Sequence, residues 1–197
     1  MTRANPTPAT RRRHGAELEN EILSAAWSQL RRDGYQAFTI DAVARAVGTS
    51  RAVLYRRWPN RAALVQAAVR AHVGTIEGHL PDTGSLAGDA LAVLTIFAGR
   101  IDQIGVDVTV GLLGELNEIP EDVKTLAPRT FAELIDRARE RGEIGPGTVP
   151  ESVLTMPTTL VRYTMIAERK APSPEALRRI IDDLFLPLVH HHGLASA

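Results

Sequence analysis

The sequence contains no cysteine, which excludes both a disulfide framework and a thiolate metal site. It also lacks a long apolar run: the segment 90–98 is far shorter than the roughly 20 residues that a helix needs to span a bilayer. Three arginines occupy positions 11–13, but no apolar stretch follows them, so no secretory signal is predicted. These absences predict a soluble, cytoplasmic protein that has no membrane partner.

The chain carries no formal net charge, but its two parts differ in sign. Residues 1–70 hold twelve arginines and five acidic residues, a net charge of +7, whereas residues 71–197 hold eleven basic and eighteen acidic residues, a net charge of −7. A basic segment joined to an acidic one favours a polyanionic partner for the basic segment alone. Charge by itself would equally suit two solvated surfaces, so the choice depends on the motifs.

Helical spacing of apolar residues runs through nearly the whole chain, and no segment shows the alternation of a strand. The turn-rich segment 80–88 is the predicted internal boundary. Beyond this boundary the pattern predicts five helices, at about 86–103, 106–117, 121–142, 150–169 and 174–190. The predicted fold class is all-α, with about nine helices in total.

Two short helical patterns in residues 39–58 enclose a turn. The first follows a capping Thr39 and places apolar residues on one face, at Ile40, Val43, Ala44 and Val47. Gly48 suits a sharp turn, and Ser50 is placed to cap a second helix with the sequence RAVLYRRW. Two short helices joined by a three- or four-residue turn containing glycine form a helix-turn-helix unit.

The second of these helices exposes a side that suits DNA. At 100° per residue, Leu54 and Trp58 face the interior while Ala52 and Arg56 lie on the opposite side. A recognition helix needs long donors for base edges, small residues where its backbone approaches, and hydroxyls for phosphate. Arg56, Ala52 and Tyr55 meet these three needs. A surface helical hairpin that carries arginines without binding DNA is the alternative interpretation.

Residues from about 16 to 71 resemble the DNA-binding domain of TetR-type bacterial transcriptional repressors. The matching features are a Gly-aromatic turn after the first helix, a threonine and an alanine in the second, a Leu-Tyr and an aromatic in the recognition segment, and a cap with a base at helix four. The residues that carry the match are Gly34, Tyr35, Thr39, Ala44, Gly48, Ser50, Leu54, Tyr55, Trp58, Asn60 and Arg61. The segments LLGELNEIPEDV, FAELIDRARERGEI and VLTMPTTLVRY are similar to the regulatory domain of one TetR subgroup.

The resemblance implies a homodimeric transcriptional repressor that binds a palindromic double-stranded DNA operator and is released by a small-molecule effector. The Pro-, Thr- and Arg-rich composition of residues 1–12 predicts a disordered basic arm. With the resemblance, the predicted organisation continues as a three-helix helix-turn-helix domain at 13–58, a connecting helix at 59–81, and a helical-bundle domain for ligand binding and dimerisation at 82–197. The residues expected to contact DNA are Thr39, Thr49, Ser50, Arg51, Ala52, Val53, Tyr55, Arg56 and Arg61. Among them Arg61 is expected on a phosphate.

The last predicted helix is too apolar to remain uncovered. Its stripe consists of Leu177, Ile180, Ile181, Leu184 and Phe185. An isologous contact between two copies buries such an excess, so we expect a dimer through the helices at 150–169 and 174–190, with Ile181 and Leu184 in the interface.

The apolar run LTMPTTLVRY contains Pro157, which predicts a kinked helix. The kink is either a harmless irregularity or the wall of a ligand site that offers hydroxyls among apolar neighbours. The residues expected to line an effector pocket are Phe97, Leu112, Leu116, Phe131, Leu134, Thr159 and Tyr163, although most could equally be plain core.

No motif indicates a metal, a cofactor or a catalytic centre. The three histidines at 190–192 point about 100° apart on a helix and cannot converge on one ion. No Glu-x-x-His motif accompanies His72 and His79, which argues against a di-iron bundle. A phosphate loop and a Gly-x-Ser-x-Gly motif are also missing, so we expect no enzyme. A constitutive DNA-binding protein without an effector and, less favoured, a helical-bundle enzyme are the alternatives.

Overall fold

The computed structural model describes residues 8–74, 80–115 and 121–194, and for residues 8–14 and 121–124 it describes the helical backbone alone. Every regular element in these ranges is a helix, which confirms the all-α prediction. The chain divides into two compact units, residues 1–74 with 114–116 and residues 75–113 with 117–197. No helix in the described ranges combines the length and the apolar character needed to cross a membrane.

The helices follow the predicted order. The first unit contains α1 (Pro8–Ala37), α2 (Ile40–Ala46), α3 (Arg51–Tyr55) and α4 (Arg61–Val73). Then come α5 (Leu86–Ile104), α6 (Val106–Glu115), α7 (Glu121–Glu140) and α8 (Glu151–Glu168). The last helix, α9, begins as Pro174–Arg179, continues through a π-helical turn at Ile180–Phe185, and ends as Leu186–Gly193. The end of α6, Gly114 and Glu115, groups with the first unit, and the rest of α5–α9 forms the second.

The first helix differs from its prediction at the start and agrees at the end. It begins at Pro8, so residues 8–12, which we expected in a disordered arm, are helical, and residues 1–7 lie outside the described residues. Its helical conformation breaks at Gly34, where φ is 74°. A left-handed φ of this kind is accessible to glycine at little cost, which explains the stop at this position.

The first unit is held together by apolar packing of α1 on α4, with α2 packed on α1 and on α3. Leu54 is fully buried and Trp58 nearly so, which agrees with the inward face inferred from helical spacing. A five-residue helix such as α3 is too short to persist alone, so this burial stabilises it. The other large contributors to the core are Ile22, Leu30, Tyr35, Phe38, Val43, Leu64 and Val65.

The second unit has its own core among α5, α7, α8 and α9. Phe131 and Phe185 meet edge to face at its centre, with ring centroids 5.1 Å apart. Pro157 is buried inside α8, which remains helical on both sides of it. The residues that complete this core include Leu86, Leu94, Leu134, Ile135, Val161, Met165, Leu177 and Val189.

A fully buried carboxylate fixes the start of α5. Asp89 accepts hydrogen bonds from the backbone N–H of Thr83 (2.6 Å), the hydroxyl of Thr83 (2.8 Å) and the guanidinium of Arg141 (3.1 Å). Arg141 also pairs with Glu143, whose carboxylate accepts the backbone N–H of Leu86 at 2.7 Å. Because a buried charge is costly unless it is paired, this network ties the turn before α5 to the residues that follow α7.

We expect Asp89→Asn to lower the free energy of unfolding by about 3 kcal/mol, because the substitution removes the buried negative charge that accepts from Arg141 and from the N–H and hydroxyl of Thr83. Urea denaturation followed by circular dichroism measures the change. Asp136→Asn is the matched control, since its pair with Arg139 is largely exposed, and it should cost less than about 1 kcal/mol. Equal effects of the two substitutions would show that the Asp89 network does not hold this unit.

Candidate nucleic-acid interface

The turn between α2 and α3 is built around Gly48. Its φ is 65°, and its backbone N–H donates to the carbonyl of Arg45 at 3.2 Å, while the N–H of Thr49 donates to the carbonyl of Ala44 at 3.0 Å. These two bonds satisfy carbonyls at the end of α2 in the manner of a Schellman motif. The backbone at this position must adopt a left-handed conformation, which glycine does at little cost. Glycine therefore suits the turn that directs α3 away from α2.

Side-chain caps begin α2 and α4 but not α3. The Thr39 side chain accepts the N–H of Ala42 at 3.2 Å, and the Asn60 side chain accepts the N–H of Ala63 at 2.8 Å. Ser50 stands at the start of α3 with extended backbone, but its hydroxyl makes no capping hydrogen bond, so our prediction of a side-chain cap there is wrong. The exposed Ser50 hydroxyl is therefore not committed to the helix end.

One side of α3 is open to solvent, as the helical spacing predicted. Arg51, Ala52, Tyr55 and Arg56 are exposed, while Val53 is half-buried. Tyr55 presents 45% of its surface, a large fraction for an aromatic residue in a compact unit. Together with the exposed Thr39 and Ser50 and the half-buried Thr49 and Arg61, these residues make up the predicted DNA-contacting set.

The arginines of this surface differ in their partners. Arg51 pairs with Asp41 of α2 at 2.5 Å, but both side chains are largely exposed, so the pair contributes little and can be exchanged. Arg56 forms no side-chain hydrogen bond or ion pair with any described residue. Arg45, at the end of α2, is exposed and equally without a described side-chain partner. We did not predict Arg45 as a contact, although it is the one basic residue in the α2 pattern.

Arg61 is not free. Its Nε lies 2.8 and 2.9 Å from the two carboxylate oxygens of Glu115, its Nη2 also contacts that carboxylate, and its guanidinium stands over the ring of Tyr35 at 4.8 Å. The Tyr35 hydroxyl donates to the same carboxylate at 2.9 Å. The phosphate contact predicted for Arg61 therefore competes with an acidic partner from the end of α6, 54 residues away in sequence.

The cluster shifts the pKa values of its members. Burial is the main cause that raises the pKa of Tyr35 to about 12, and the hydrogen bond to Glu115 adds to it. The hydrogen bond from Arg61 is the main cause that lowers the pKa of Glu115. Because the folded Tyr35 holds its proton more tightly than an ordinary tyrosine of pKa about 10, its contribution to stability is complete below pH 10 and is lost as pH rises through about 12.

We expect an absorbance titration at 295 nm to show one tyrosine that ionises near pH 12, and Tyr35→Phe to remove that step. Glu115→Gln should lower the pKa of Tyr35 without restoring the ordinary value, because it removes the charged acceptor but leaves the burial. If Glu115→Gln leaves the high-pH step in place, the carboxylate does not control this tyrosine.

The second unit contains a cavity of about 60 Å³ among α5, α7 and α8. Its lining consists of Val93, Phe97, Leu126, Ala127, Thr130, Phe131, Thr158 and Arg162. Two of the residues predicted for an effector pocket, Phe97 and Phe131, therefore belong to it. The sequence pattern missed Arg162 because an arginine beside an apolar helical face is ordinarily solvated.

The other predicted pocket residues that the structure describes do not line this cavity. Leu134 is fully buried core, Thr159 is exposed, and Tyr163 presents 69% of its surface to solvent. Leu112 is half-buried on α6 and is not among the lining residues, and Leu116 lies outside the described residues. Helical spacing identifies the residues that share a face but leaves open which face meets the cavity, and a shift of one residue turns a side chain by 100°.

The threonines and histidines make contacts within the fold. The Thr158 and Thr159 hydroxyls both donate to the carbonyl of Thr155, at 3.1 and 2.9 Å. The ring of His72 stacks on Trp27 with centroids 5.4 Å apart, and His79 lies outside the described residues. Within the described ranges no three His, Asp or Glu side chains converge in a way that could hold a metal ion.

The geometry on α2 and α3 defines a helix-turn-helix DNA-binding protein. Comparison with known families agrees: the model described as "Bacterial regulatory proteins, tetR family" matches residues 22–68, and the model described as "Tetracyclin repressor-like, C-terminal domain" matches residues 80–184. The chain belongs to the TetR family of transcriptional regulators. This is a family of regulators rather than of enzymes.

Relatives extend over most of the chain. A DNA-binding transcriptional repressor TetR of Mycobacteroides abscessus is 30% identical over 187 residues, which cover 85% of this chain and 92% of the relative. An HTH-type transcriptional regulator of Mycobacterium tuberculosis is 26% identical over 175 residues, 86% of each chain. A solved TetR family transcription regulator aligns with a TM-score of 0.61 and 25% identity over 86% of this chain and 97% of its own.

Proposed function

We propose that this regulator is a repressor that binds a palindromic operator as a homodimer and is released from it by a small-molecule effector. The observation that carries the proposal is the exposed side of α3, where Arg56 has no described partner beside the small Ala52 and the hydroxyl of Tyr55. The name of the 30% identical relative, a DNA-binding transcriptional repressor, supports the direction of regulation.

Arg56 is the residue we assign to a base edge in the major groove. A guanidinium presents a rigid fork of donors that matches the O6 and N7 acceptors of guanine. Since no described acceptor holds the Arg56 side chain, placing it in the groove breaks no bond to a described residue. Ala52 allows the helix backbone to approach, and the methyl groups of Val53 suit the methyl group of a thymine.

The remaining members of the predicted set are assigned to the phosphate backbone. Ser50 offers a hydroxyl that caps no helix, and Arg51 can exchange Asp41 for a phosphate at little cost. Arg61 has to exchange Glu115, so DNA binding and the Arg61–Glu115 pair oppose each other. The complete set proposed for phosphate is Thr39, Thr49, Ser50, Arg51, Tyr55 and Arg61, with Arg45 added on the basis of its exposure.

We expect Arg56→Ala to relax preference at particular operator base pairs, at a cost of about 1–3 kcal/mol in discrimination, because a bidentate base contact is lost. Arg45→Ala is the matched control: it should weaken operator and scrambled duplex alike and flatten the log–log salt slope by about 0.9. Titrations of both duplexes at several salt concentrations separate the two effects. If Arg56→Ala weakens both duplexes equally, Arg56 holds a phosphate and α3 is oriented differently.

The proposed dimer surface lies on α8 and α9. Tyr163 and Ile166 are exposed on α8, and Leu184 (43%) and Leu188 (37%) are exposed on α9, so each helix presents an apolar pair on one face. Exposed apolar residues of this kind are typical of an interface, and a two-fold contact would cover them on both copies.

Ile181 is not available to that surface. It is 1% exposed and belongs to the core, so the expected pairing of Ile181 with Leu184 is wrong. The reason is the π-helical turn Ile180–Phe185, whose wider spacing rotates Leu184 out of register with Ile181. A prediction that assumes 100° per residue throughout the helix places Ile181 and Leu184 on nearly the same face.

We expect Leu184→Glu combined with Leu188→Glu to give a monomer by light scattering and to weaken operator binding, because two charges replace the apolar face of α9. The control is Ile96→Glu, which places one charge at an apolar residue of similar exposure on α5 and should leave the dimer intact. A stable dimer from the double variant would locate the interface elsewhere.

The proposed release by an effector requires a binding site, and the cavity of the second unit is the candidate for it. Its volume of about 60 Å³ is small beside ordinary ligand pockets, which favours the alternative of a constitutive DNA-binding protein unless binding selects a more open state. We propose that such a state exists, because the wall combines apolar side chains with a charged group. Measuring operator affinity with and without a bound ligand decides between the two functions.

A further inference from the structure

Arg162 is the charged group in the cavity wall. Its Cζ lies 5.9 Å from the centre of the Phe97 ring, and its side chain is partly buried. This burial lowers the pKa of its guanidinium. No described residue forms a hydrogen bond or an ion pair with the Arg162 side chain.

Four other arginines of the second unit form ion pairs. The ion pairs are Arg137 with Glu133, Arg139 with Asp136, Arg141 with Asp89 and Glu143, and Arg169 with Asp107. A guanidinium stays protonated under ordinary conditions, so Arg162 carries a charge at the edge of an apolar core that no described side chain compensates. The contact with Phe97 is a distant cation–π interaction and offsets little of that cost. A guanidinium in a cavity wall that no described carboxylate neutralises points to a role in binding.

The other lining residues restrict the kind of ligand. The walls are apolar at Val93, Phe97, Leu126, Ala127 and Phe131. The hydroxyl of Thr158 donates to the carbonyl of Thr155 and so has no proton left for an anion. The described lining contains one cation, which suits a monoanion better than a phosphate dianion. Its planar fork matches the two oxygens of a carboxylate.

We propose that Arg162 binds the carboxylate of a small apolar monocarboxylic acid, whose hydrocarbon part packs against Phe97 and Phe131. Because the cavity of about 60 Å³ has to open further to admit any such ligand, as proposed above, a short chain or a single ring is favoured over a long fatty acid. That this ligand acts as the effector rests on the function proposed above.

The test uses the full-length protein and four probes: benzoate and hexanoate, with benzamide and hexanamide as uncharged counterparts of similar shape. Isothermal titration calorimetry should show that at least one carboxylate binds and that its amide binds at least tenfold more weakly. Arg162→Gln should weaken carboxylate binding by about 10- to 100-fold, because a charge-assisted pair is lost. Arg162→Lys keeps the charge but loses the planar fork, so its affinity for the carboxylate should lie between those of the unsubstituted protein and of Arg162→Gln.

Arg129→Gln is the matched control, since it removes an exposed guanidinium from α7 one residue before the cavity-lining Thr130. It should bind the probes as the unsubstituted protein does. Arg162→Gln should melt at the same temperature as this control or higher, because it removes a partly buried charge that no described residue pairs with. A lower melting temperature would show that Arg162 serves the empty fold and would overturn the proposal, as would equal binding of carboxylates to the Gln variant and the unsubstituted protein.

Operator titrations with the same probes separate this inference from the proposed function. If a carboxylate binds through Arg162 but leaves operator affinity unchanged, the site is supported and effector release by this ligand class fails. If neither carboxylate binds while a compound of another class releases the operator, Arg162 is not a carboxylate site and the proposed function stands.

Discussion

Burial of Leu54 and Trp58 holds α3 in place, and the exposed face of that helix depends on it. A helix of five residues forms too few internal hydrogen bonds to persist without packing. Gly48 sets the direction in which the chain enters α3, and the two apolar anchors fix its rotation. With the rotation fixed, Ala52 and Arg56 have to face outward, and the surface proposed to meet DNA follows from the packing beneath it.

The ion pairs divide the arginines into those that pair with a carboxylate of the fold and those that remain able to bind a ligand. Arg141 pairs with the buried Asp89, and Arg61 pairs with Glu115 and lowers the pKa of that carboxylate. Both arginines therefore stabilise the fold. Arg56 and Arg162 lack a described carboxylate, one on an open surface and the other in a cavity wall. We propose a base edge as the ligand of Arg56 and a carboxylate as the ligand of Arg162. Both proposals follow from a guanidinium charge that no described carboxylate neutralises.

Features that depend on near neighbours in sequence were predicted well. The bounds of α5 and α8 agree with the prediction within one residue at each end, and the inward faces of α2 and α3 agree with the observed burial. Features that depend on distant residues were not: nothing in the sequence indicated that Glu115 would meet Arg61, or that Thr158 rather than Thr159 would face the cavity. The π-helical turn in α9 was likewise not predicted, and because of it Leu188 rather than Ile181 is exposed together with Leu184.

The sequence by itself determined the all-α class, the order of the helices and the helix-turn-helix unit, because caps, glycine turns and helical periodicity act over a few residues. Only the tertiary structure decided which arginines have partners, which residues line the cavity and which face of α9 is left open. The physical reason is that pairing and burial depend on where separate helices come together in space, and residues far apart in the chain carry no mark of that contact.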